Sequence, residues 1–141
     1  MIRAVIDTNV LVSGVLSPSG NEALIILALH QGLLRPRLSE EIIDEYAAVL
    51  ARPKFAFPPD EIEALIATLR RNSELLQPEA SLKVSPDPSD MKFIDCALAA
   101  GADFIVTDNK RHFPDAPYGS ARVVSAGELL ERITVELYLP S

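Results

Sequence analysis

The sequence has few of the residues that build disulfide frameworks and zinc sites. Its 141 residues include one cysteine and two histidines, so an intramolecular disulfide is excluded, and the isolated His30 and His112 form no zinc pattern. The most apolar stretch, Ala23–Leu29, is far shorter than the roughly 20 residues that cross a bilayer. Arg3 and Asp7 interrupt the first apolar run before a signal-peptide core can form. We therefore expect a cytoplasmic protein that does not contact a membrane.

The motifs of several large enzyme classes are also missing. The chain has no P-loop, no GxGxxG, no GxSxG and no CxxC. Cys96 lies in an apolar helical stretch without a neighbouring histidine, which favours a packing role over a catalytic thiolate. The net charge of −7 argues against a protein that coats nucleic acid by bulk electrostatics. It is compatible with carboxylates that bind divalent cations, although solubility alone is the simpler explanation of the charge.

The composition is that of one globular domain. With 48% hydrophobic and 23% charged residues, the chain can build one ordinary core, and no composition change divides residues 1–141. Short apolar runs at Ala4–Ile6, Asp103–Thr107 and Arg122–Val124 predict buried strands, and Leu33–Leu38 has room for a fourth. Because helical segments separate these runs, the order predicts an α/β fold with a mainly parallel sheet.

Capping residues mark the ends of five predicted helices. Two loops are predicted at Ser13–Gly20 and Ser81–Ser89, and the tail, Thr134–Ser141, is open to two interpretations, a strand or an oligomer contact. The predicted helices run from Asn21 to Gln31 before Gly32, from the Ser39 cap to about Ala51, from Pro58-Pro59-Asp60 to about Leu75, from the Asp87 cap to near Gly101, and from the Ser125 and Glu128 capping box to about Ile133.

Acidic residues follow two of the predicted strands. Asp7 comes directly after Ala4–Ile6, and Asp108 comes directly after the strand that ends at Thr107. In open parallel sheets, ligands bind beyond the carboxyl ends of the strands. We therefore expect both carboxylates at one edge of the sheet, where helices that return over the sheet also begin.

Asp90 lies at the start of a predicted helix, in line with its apolar residues. Its spacing from Ile94 and Ala97 places it on the middle of the buried stripe. An inward carboxylate needs a partner, because a bare buried charge is costly. A metal ion and a set of backbone amides at the helix N-terminus are equally good partners on geometry alone.

The other acids give weaker signals. Glu45 sits at the edge of the buried stripe of its helix, where a lone acid is usually solvated. Asp95 lies off the buried stripe, so we expect a surface position, with a supporting role as the alternative. Asp87 is better explained as a cap than as a ligand. Lys110 and Arg111 can touch phosphate, although two basic loop residues are more often simply solvated.

A cluster of carboxylates favours a hard cation, Mg²⁺ or Mn²⁺, over zinc. Such sites support the in-line hydrolysis of phosphodiester bonds, in which metal ions activate the attacking water and stabilise the leaving oxygen. The residues therefore point to a metal-dependent phosphodiesterase as one function of this sheet edge.

Three segments together resemble PIN domains. They are Val5–Leu11 with its Asp-Thr-Asn sequence, the segment from Asp87 through Asp90 and Asp95 to Thr107, and Asn109–Pro114. In order and spacing the whole chain is similar to the PIN-family toxins of bacterial or archaeal toxin–antitoxin systems, the VapC ribonucleases. The resemblance implies a three-layer α/β/α, Rossmann-like fold, a divalent metal, endoribonuclease activity on RNA, frequent homodimers and inhibition by a cognate antitoxin.

The resemblance also assigns roles to individual residues. The family's fourth acid stands two residues after the strand-end threonine, where this chain has Asn109, with Asp108 one residue earlier. Either Asp108 takes over the ligand role, or Asn109 binds a metal-bound water. The implied catalytic and metal-binding acids are Asp7, Glu45, Asp90 and Asp108, with Asn9 as a supporting residue. Asp95, Thr107 and Asn109 complete the candidate supporting residues, and Lys110 and Arg111 are the candidate RNA contacts.

Two other functions remain open. The chain would be a phosphatase of the haloacid-dehalogenase type if Asp7 attacked phosphorus, but Asn9 stands where that chemistry needs an acid/base aspartate. It would be a PIN-like module that binds RNA or a partner without cleavage if Asn109 marked lost catalysis. A homodimer contact through Ile25, Ile26 and Leu29, or through Val135–Leu139, is as compatible with the sequence as a core position for these residues.

Overall fold

Strands and helices alternate along the chain in this computed structural model, which describes residues 1–73, 75–76 and 88–138. Short 3-10 turns occupy Pro53–Phe55, Pro88–Asp90 and Lys110–His112. The strands are β1 (Ile2–Ile6), β2 (Leu34–Pro36), β3 (Leu38–Ser39), β4 (Leu75–Leu76), β5 (Phe104–Val106) and β6 (Arg122–Val124). The helices are α1 (Thr8–Leu16), α2 (Asn21–His30), α3 (Glu40–Leu50), α4 (Pro59–Arg71), α5 (Met91–Ala100) and α6 (Ala126–Tyr138).

The main sheet has the order β2-β1-β5-β6, and its strand pairs are all parallel. Helices cover the sheet in a three-layer α/β/α arrangement, which confirms the predicted fold class. The register pairs Ile6 with Val106 and Val106 with Val124, so that three strands end at the same level. The residues that follow them, Asp7 and Thr107 among them, therefore leave the sheet at one edge.

The predicted caps at Ser39, at Ser125 with Glu128, and at Gly101 are present. The Ser39 side chain accepts a hydrogen bond from the N–H of Ile42 at 3.2 Å, which caps α3. Ser125 and Glu128 form the reciprocal capping box at the start of α6, with bonds of 3.1 and 3.2 Å. Gly101 ends α5 with a φ of +59°, a conformation that favours glycine.

The predicted loop Ser13–Gly20 is wrong in its first half, because α1 begins directly after β1 and continues to Leu16. Gly14 suggests a turn in the sequence, but in the structure it lets α1 approach α2. A Cβ at this position would lie 2.5 Å from Ile26 Cδ1 and 2.7 Å from the carbonyl oxygen of Glu22. The glycine therefore permits a close helix contact.

Two helices differ in length from the prediction. The α4 helix ends at Arg71 instead of Leu75, because the side-chain amide of Asn72 donates 3.1 Å hydrogen bonds to the carbonyls of Thr68 and Leu29. Leu75 then pairs with Leu38, and β3 and β4 form a second parallel sheet. The α6 helix continues to Tyr138, so a strand is excluded for 134–138. The Asp87 cap and most of the predicted 81–89 loop lie outside the described residues.

The burial of side chains on α2 answers one question that the sequence leaves open, namely whether these residues form a dimer contact. Ile25 and Leu29 are 1% and 0% exposed, so they are core residues and not a dimer contact. Ile26 is partly buried against the same core, whereas Val135 and Leu137 are exposed on α6. Cys96 is fully buried, and burial raises the pKa of its thiol to about 12, as the predicted packing role requires. Within the described ranges, no single helix is long and apolar enough to cross a bilayer.

Candidate metal centre

Asp7 is buried at the carboxyl end of β1. The residue is only 6% exposed, and its Oδ2 accepts a 2.8 Å hydrogen bond from the hydroxyl of Thr107, at the end of the adjacent strand β5. Its backbone N–H donates to the Val106 carbonyl at 2.9 Å, which continues the strand pairing. Burial raises the pKa of Asp7 above its ordinary value, and the bond from Thr107 opposes this shift. The position therefore destabilises the charged form of Asp7.

Asp90 is 5% exposed at the junction of the Pro88–Asp90 turn and α5. Its side chain makes no capping hydrogen bond to the backbone of α5. Its Oδ2 instead lies 3.2 Å from Nδ1 of His112. Of the two partners that the sequence left open, the helix amides are therefore excluded, and the carboxylate faces a side chain from the 3-10 turn after β5.

Glu45 reaches the same region from α3. Its Oε1 is 2.8 Å from the ammonium nitrogen of Lys92, and its Oε2 accepts a short hydrogen bond from the Thr8 hydroxyl. Lys92 also donates to the Ser89 carbonyl at 2.6 Å, and its side chain is only 11% exposed. The Glu45 charge also contributes to raising the pKa of Asp7.

Lys92 was missed as the partner of Glu45 by sequence reasoning. The two residues are 47 positions apart and lie on different helices, so no local pattern connects them. The predicted stripe position of Glu45 is close to what is observed, since the residue is half-buried. The partner that makes this position stable can be seen only in the fold.

Asp108 is exposed at the end of β5, and its pKa is raised. The causes are partial burial, a hydrogen bond and charge interaction with Glu22, and the charge of Asp7. Glu22 lies in the first turn of α2, where an acidic residue is favoured by the helix dipole, and nothing else in the sequence connects it with this site. Asp108 and Glu22 thus form a carboxyl pair beside the buried acids.

Asn109 begins the 3-10 turn Lys110–His112. Its backbone N–H donates to the Thr107 hydroxyl at 3.1 Å, and its Oδ1 accepts from the N–H of Arg111 at 3.3 Å. Its Nδ2 lies 3.0 Å from Nε2 of His112. Both polar atoms of the Asn109 side-chain amide therefore make their contacts within the turn.

The predicted RNA contacts, Lys110 and Arg111, lie in this turn. Lys110 is exposed and pairs with Glu128 at 2.6 Å, which together with the bonds to Ser125 lowers the pKa of Glu128 to about 2. Arg111 is exposed. Asn9 is exposed on the first turn of α1, and Asp95 is half-buried on α5, so the supporting roles of both stay predictions.

Two groups can now be distinguished by burial. We call Asp7, Glu45, Asp90 and Thr107 the floor of the site, because they are buried or half-buried at the sheet edge. We call Asp108, Asn109, Lys110 and Arg111 the rim, because they are exposed on the chain that follows β5.

Sequence comparison assigns this arrangement to a family. The family model for the PIN domain matches residues 3–111, which include every acid of the floor and the whole rim. The chain belongs to the PIN domain family. The predicted family is thereby confirmed. No curated protein matches the sequence significantly.

A solved structure has the same fold as this PIN domain. The crystal structure of VapBC2 from Rickettsia felis, bound to a DNA fragment from their promoter, contains a chain that superposes with a TM-score of 0.57. The match covers 88% of this chain and 98% of that chain, at 13% sequence identity. At this identity the likeness concerns the fold alone.

The floor of the PIN domain fits a hard divalent cation in its chemistry. Its donors are carboxylate oxygens, which Mg²⁺ and Mn²⁺ prefer, and a cation beside Asp7 would offset the cost of burying that charge. In the described part of the chain, no group of three or more Asp, Glu, His or Cys side chains is close enough together to hold a metal ion. Binding at Glu45 therefore requires that the contact with Lys92 be released or shared.

Proposed function

We propose that this PIN domain is a metal-dependent endoribonuclease that hydrolyses RNA phosphodiester bonds. The observation that carries the proposal is the burial of Asp7 and Asp90 at the carboxyl edge of a parallel sheet, with Glu45 beside them. Buried carboxylates reduce stability unless a partner offsets their charge, so their presence at a ligand-binding edge indicates a functional site.

Asp7, Glu45 and Asp90 would hold the ion. When bound, Mg²⁺ or Mn²⁺ would supply the activation of the attacking water and the stabilisation of charge on the phosphate and leaving oxygen. Thr107 fixes the orientation of Asp7 through its hydroxyl. We expect no covalent intermediate on the protein, because water is the nucleophile.

Asp108 is the better candidate than Asn109 for the fourth position. The amide of Asn109 is engaged by Arg111 and His112, whereas the carboxyl of Asp108 lies close enough to Asp7 for their charges to interact. Lys110 and Arg111 are exposed on the same turn, and they would contact the RNA phosphates.

We further propose that the protein is the toxin of a toxin–antitoxin pair in the cytoplasm. The support is the family membership and the shared fold with a chain from the VapBC2 complex. A cognate antitoxin protein would then be its partner. A homodimer is a second proposed assembly, and the exposed Val135 and Leu137 of α6 remain available for it.

A module that binds RNA or a partner without cleavage is the competing function. It is favoured by one observation, the lack of a close group of three metal-binding side chains among the described residues. The ion pair of Lys92 with Glu45, which already gives this carboxylate a protein partner, agrees with it as well.

Cleavage of a mixed-sequence, single-stranded RNA distinguishes the two functions. The wild type is compared with Asp7→Asn, Asp90→Asn and the matched control Asp44→Asn, which changes an exposed acid on α3. Each is assayed with Mn²⁺, Mg²⁺ or EDTA. We expect metal-dependent cleavage by the wild type and the control and none by the two floor variants.

Two results would contradict the proposal. RNA binding without cleavage by folded wild type under either metal would establish the binding module. Cleavage that survives both floor substitutions would show that the nuclease activity does not come from these carboxylates.

A further inference from the structure

A cleft of about 530 Å³ lies along β2, the edge strand of the main sheet. It begins at Met1 and Gly32, at the amino end of the sheet, and the end of α4 forms its other side. Among the described residues, none that belongs to the floor or the rim lines this cleft. It is therefore separate from the candidate metal centre at the carboxyl edge.

Three arginines line the cleft. Arg35 and Arg37 are two positions apart on extended chain, so their side chains leave the backbone on the same side. Arg71 comes from the last turn of α4. Within the described ranges, no acidic side chain lines the cleft. The cleft therefore has a strongly positive charge in a protein whose net charge is −7.

The contacts of two of these arginines are with neutral groups. Nε of Arg35 lies 3.3 Å from the sulfur of Met1, and a guanidinium nitrogen of Arg71 donates to the Thr68 hydroxyl at 3.1 Å. In the part of the chain that the structure describes, neither arginine forms an ion pair with a carboxylate. Their charges are therefore not neutralised by the protein.

The neighbouring Arg70 shows what an ordinary surface arginine does in this chain. It precedes Arg71 on α4 and holds Glu40 with two hydrogen bonds of 2.9 and 3.2 Å. The chain has 20 acidic and 13 basic residues, so carboxylates are in excess. The lack of acidic partners at the cleft is therefore a property of this place and not of the composition.

Arg37 gives the strongest indication of a ligand. Its backbone N–H donates to the carbonyl of Ala4 at 2.8 Å, which fixes the residue against β1. Its Nε is shielded from solvent and has no hydrogen-bond partner among the described residues. A buried polar group without a partner reduces stability and calls for a functional explanation. Because the protein supplies no acceptor, the anionic partner of this guanidinium can come only from the cleft.

The edge of β2 disfavours a peptide as that partner. An extended peptide would add to the edge through backbone hydrogen bonds. Because the N–H of Arg37 points at β1, the nitrogen of the preceding Pro36 faces the open side, and a proline nitrogen carries no hydrogen. The strand is also only three residues long. A small anion that is held by side chains therefore fits the cleft better than an added strand.

We propose that this cleft binds the di- or triphosphate chain of a nucleotide. Guanidinium groups match phosphate oxygens with paired hydrogen bonds, and Arg is the residue best suited to this contact. Consecutive phosphates place several negative charges in one small ligand, which three converging arginines neutralise together. The volume lies within the range of roughly 300–1,000 Å³ that is typical of small-molecule sites. The proposal goes beyond the nuclease function and does not depend on it.

Calorimetric titration with ATP and with inorganic tripolyphosphate, in EDTA, tests this site. EDTA prevents binding through a metal at the floor, so a failure of the proposed nuclease function would not affect the result. We expect saturable binding of both probes by the wild type. The affinity should fall about tenfold in Arg37→Gln, the loss expected for one hydrogen bond to a charged group.

Two further variants and a control accompany Arg37→Gln. Arg35→Gln and Arg71→Gln change exposed side chains, so they keep the fold and should each weaken binding about as much as Arg37→Gln does. Arg52→Gln changes the net charge equally at an exposed residue outside the cleft, and it should bind both probes as the wild type does.

Four results would overturn the proposal. The first is a wild type that binds neither probe, and the second is equal affinity of the wild type and the cleft variants. The third is loss of binding in Arg111→Gln alone, which would place the phosphates at the rim. The fourth is displacement of ATP, at lower concentration, by a glutamate-rich peptide or by single-stranded RNA without terminal phosphates, because either would assign the cleft to a macromolecule.

Discussion

The floor and the rim of the site differ in the structural elements that hold their residues and in the effect of their charges on the stability of the fold. Asp7, Asp90 and Thr107 are at most 6% exposed and are placed by strand ends and a helix start. The rim residues are exposed and are placed by one 3-10 turn and its local bonds. Solvated charges need no explanation, whereas a buried carboxylate with a raised pKa reduces stability. The buried carboxylates of the floor therefore lower the stability of the fold at the place where we propose that a cation binds.

The largest difference should appear when the charge of the floor is removed. In metal-free protein at pH 7, Asp7→Asn should raise the melting temperature by about 4 °C, the shift that about 1 kcal/mol produces in a domain of this size. The Thr107 hydroxyl can still donate to the amide oxygen.

The pH dependence of this effect follows from the sign of the shift. The pKa of Asp7 is raised in the folded state, so its stabilising contribution is complete below the ordinary value of 3.8 and is lost as the pH rises through the raised value. Melting curves from pH 3 to 8 should therefore converge at low pH for wild type and Asp7→Asn. A variant less stable than the wild type at pH 7, with Asp44→Asn unchanged, would contradict the account.

A smaller effect is expected for the lysine that pairs with the floor. Lys92→Met leaves Glu45 with the Thr8 hydroxyl alone, so the metal-free protein should lose about 1–2 kcal/mol of unfolding free energy. Mn²⁺ should restore most of this loss, because a cation at Glu45 replaces the ammonium group.

The rim supplies a matched control for this prediction. Lys110→Met also breaks a lysine–glutamate pair, but both side chains of that pair are about half exposed, so the loss should be at most about 0.5 kcal/mol and independent of Mn²⁺. Chemical denaturation with and without Mn²⁺ measures both variants. If Mn²⁺ leaves the Lys92→Met deficit unchanged, Lys92 has a purely structural role.

The smallest effect is expected at Asp108 and Glu22. Their mutual repulsion is relieved by Asp108→Asn or by Glu22→Gln, so each should raise the melting temperature at pH 7 by about 1 °C. Because both variants remove the same interaction, the double variant should gain less than the sum of the two. Additive gains would show that the two carboxyl groups do not interact.

The sequence predicts the positions of the floor carboxylates better than it predicts the side chains that contact them. Asp7 follows a buried strand and Asp90 lies on the apolar stripe of α5, and both signals are local, so both positions agree with the structure. The Lys92–Glu45 and Glu22–Asp108 contacts join residues that are far apart in sequence, and no period of a helix or strand contains them.

The same distinction applies to the fold. Strands β1, β5 and β6 were predicted within two residues at each end, because buried apolar runs are local signals. Helix α1 and the end of α4 were not predicted, because Gly14 is fixed by its close contact with α2 and Leu75 by its pairing with β3. Tertiary contacts decide such positions.

Mn²⁺ titration of wild-type protein beside Asp7→Asn and Asp108→Asn, followed by calorimetry, tests the central claim that the floor holds a cation. We predict saturable binding by the wild type, loss of that binding in Asp7→Asn, and binding weakened no more than about tenfold in Asp108→Asn. Equal affinity of the wild type and Asp7→Asn would contradict the claim and place any metal elsewhere.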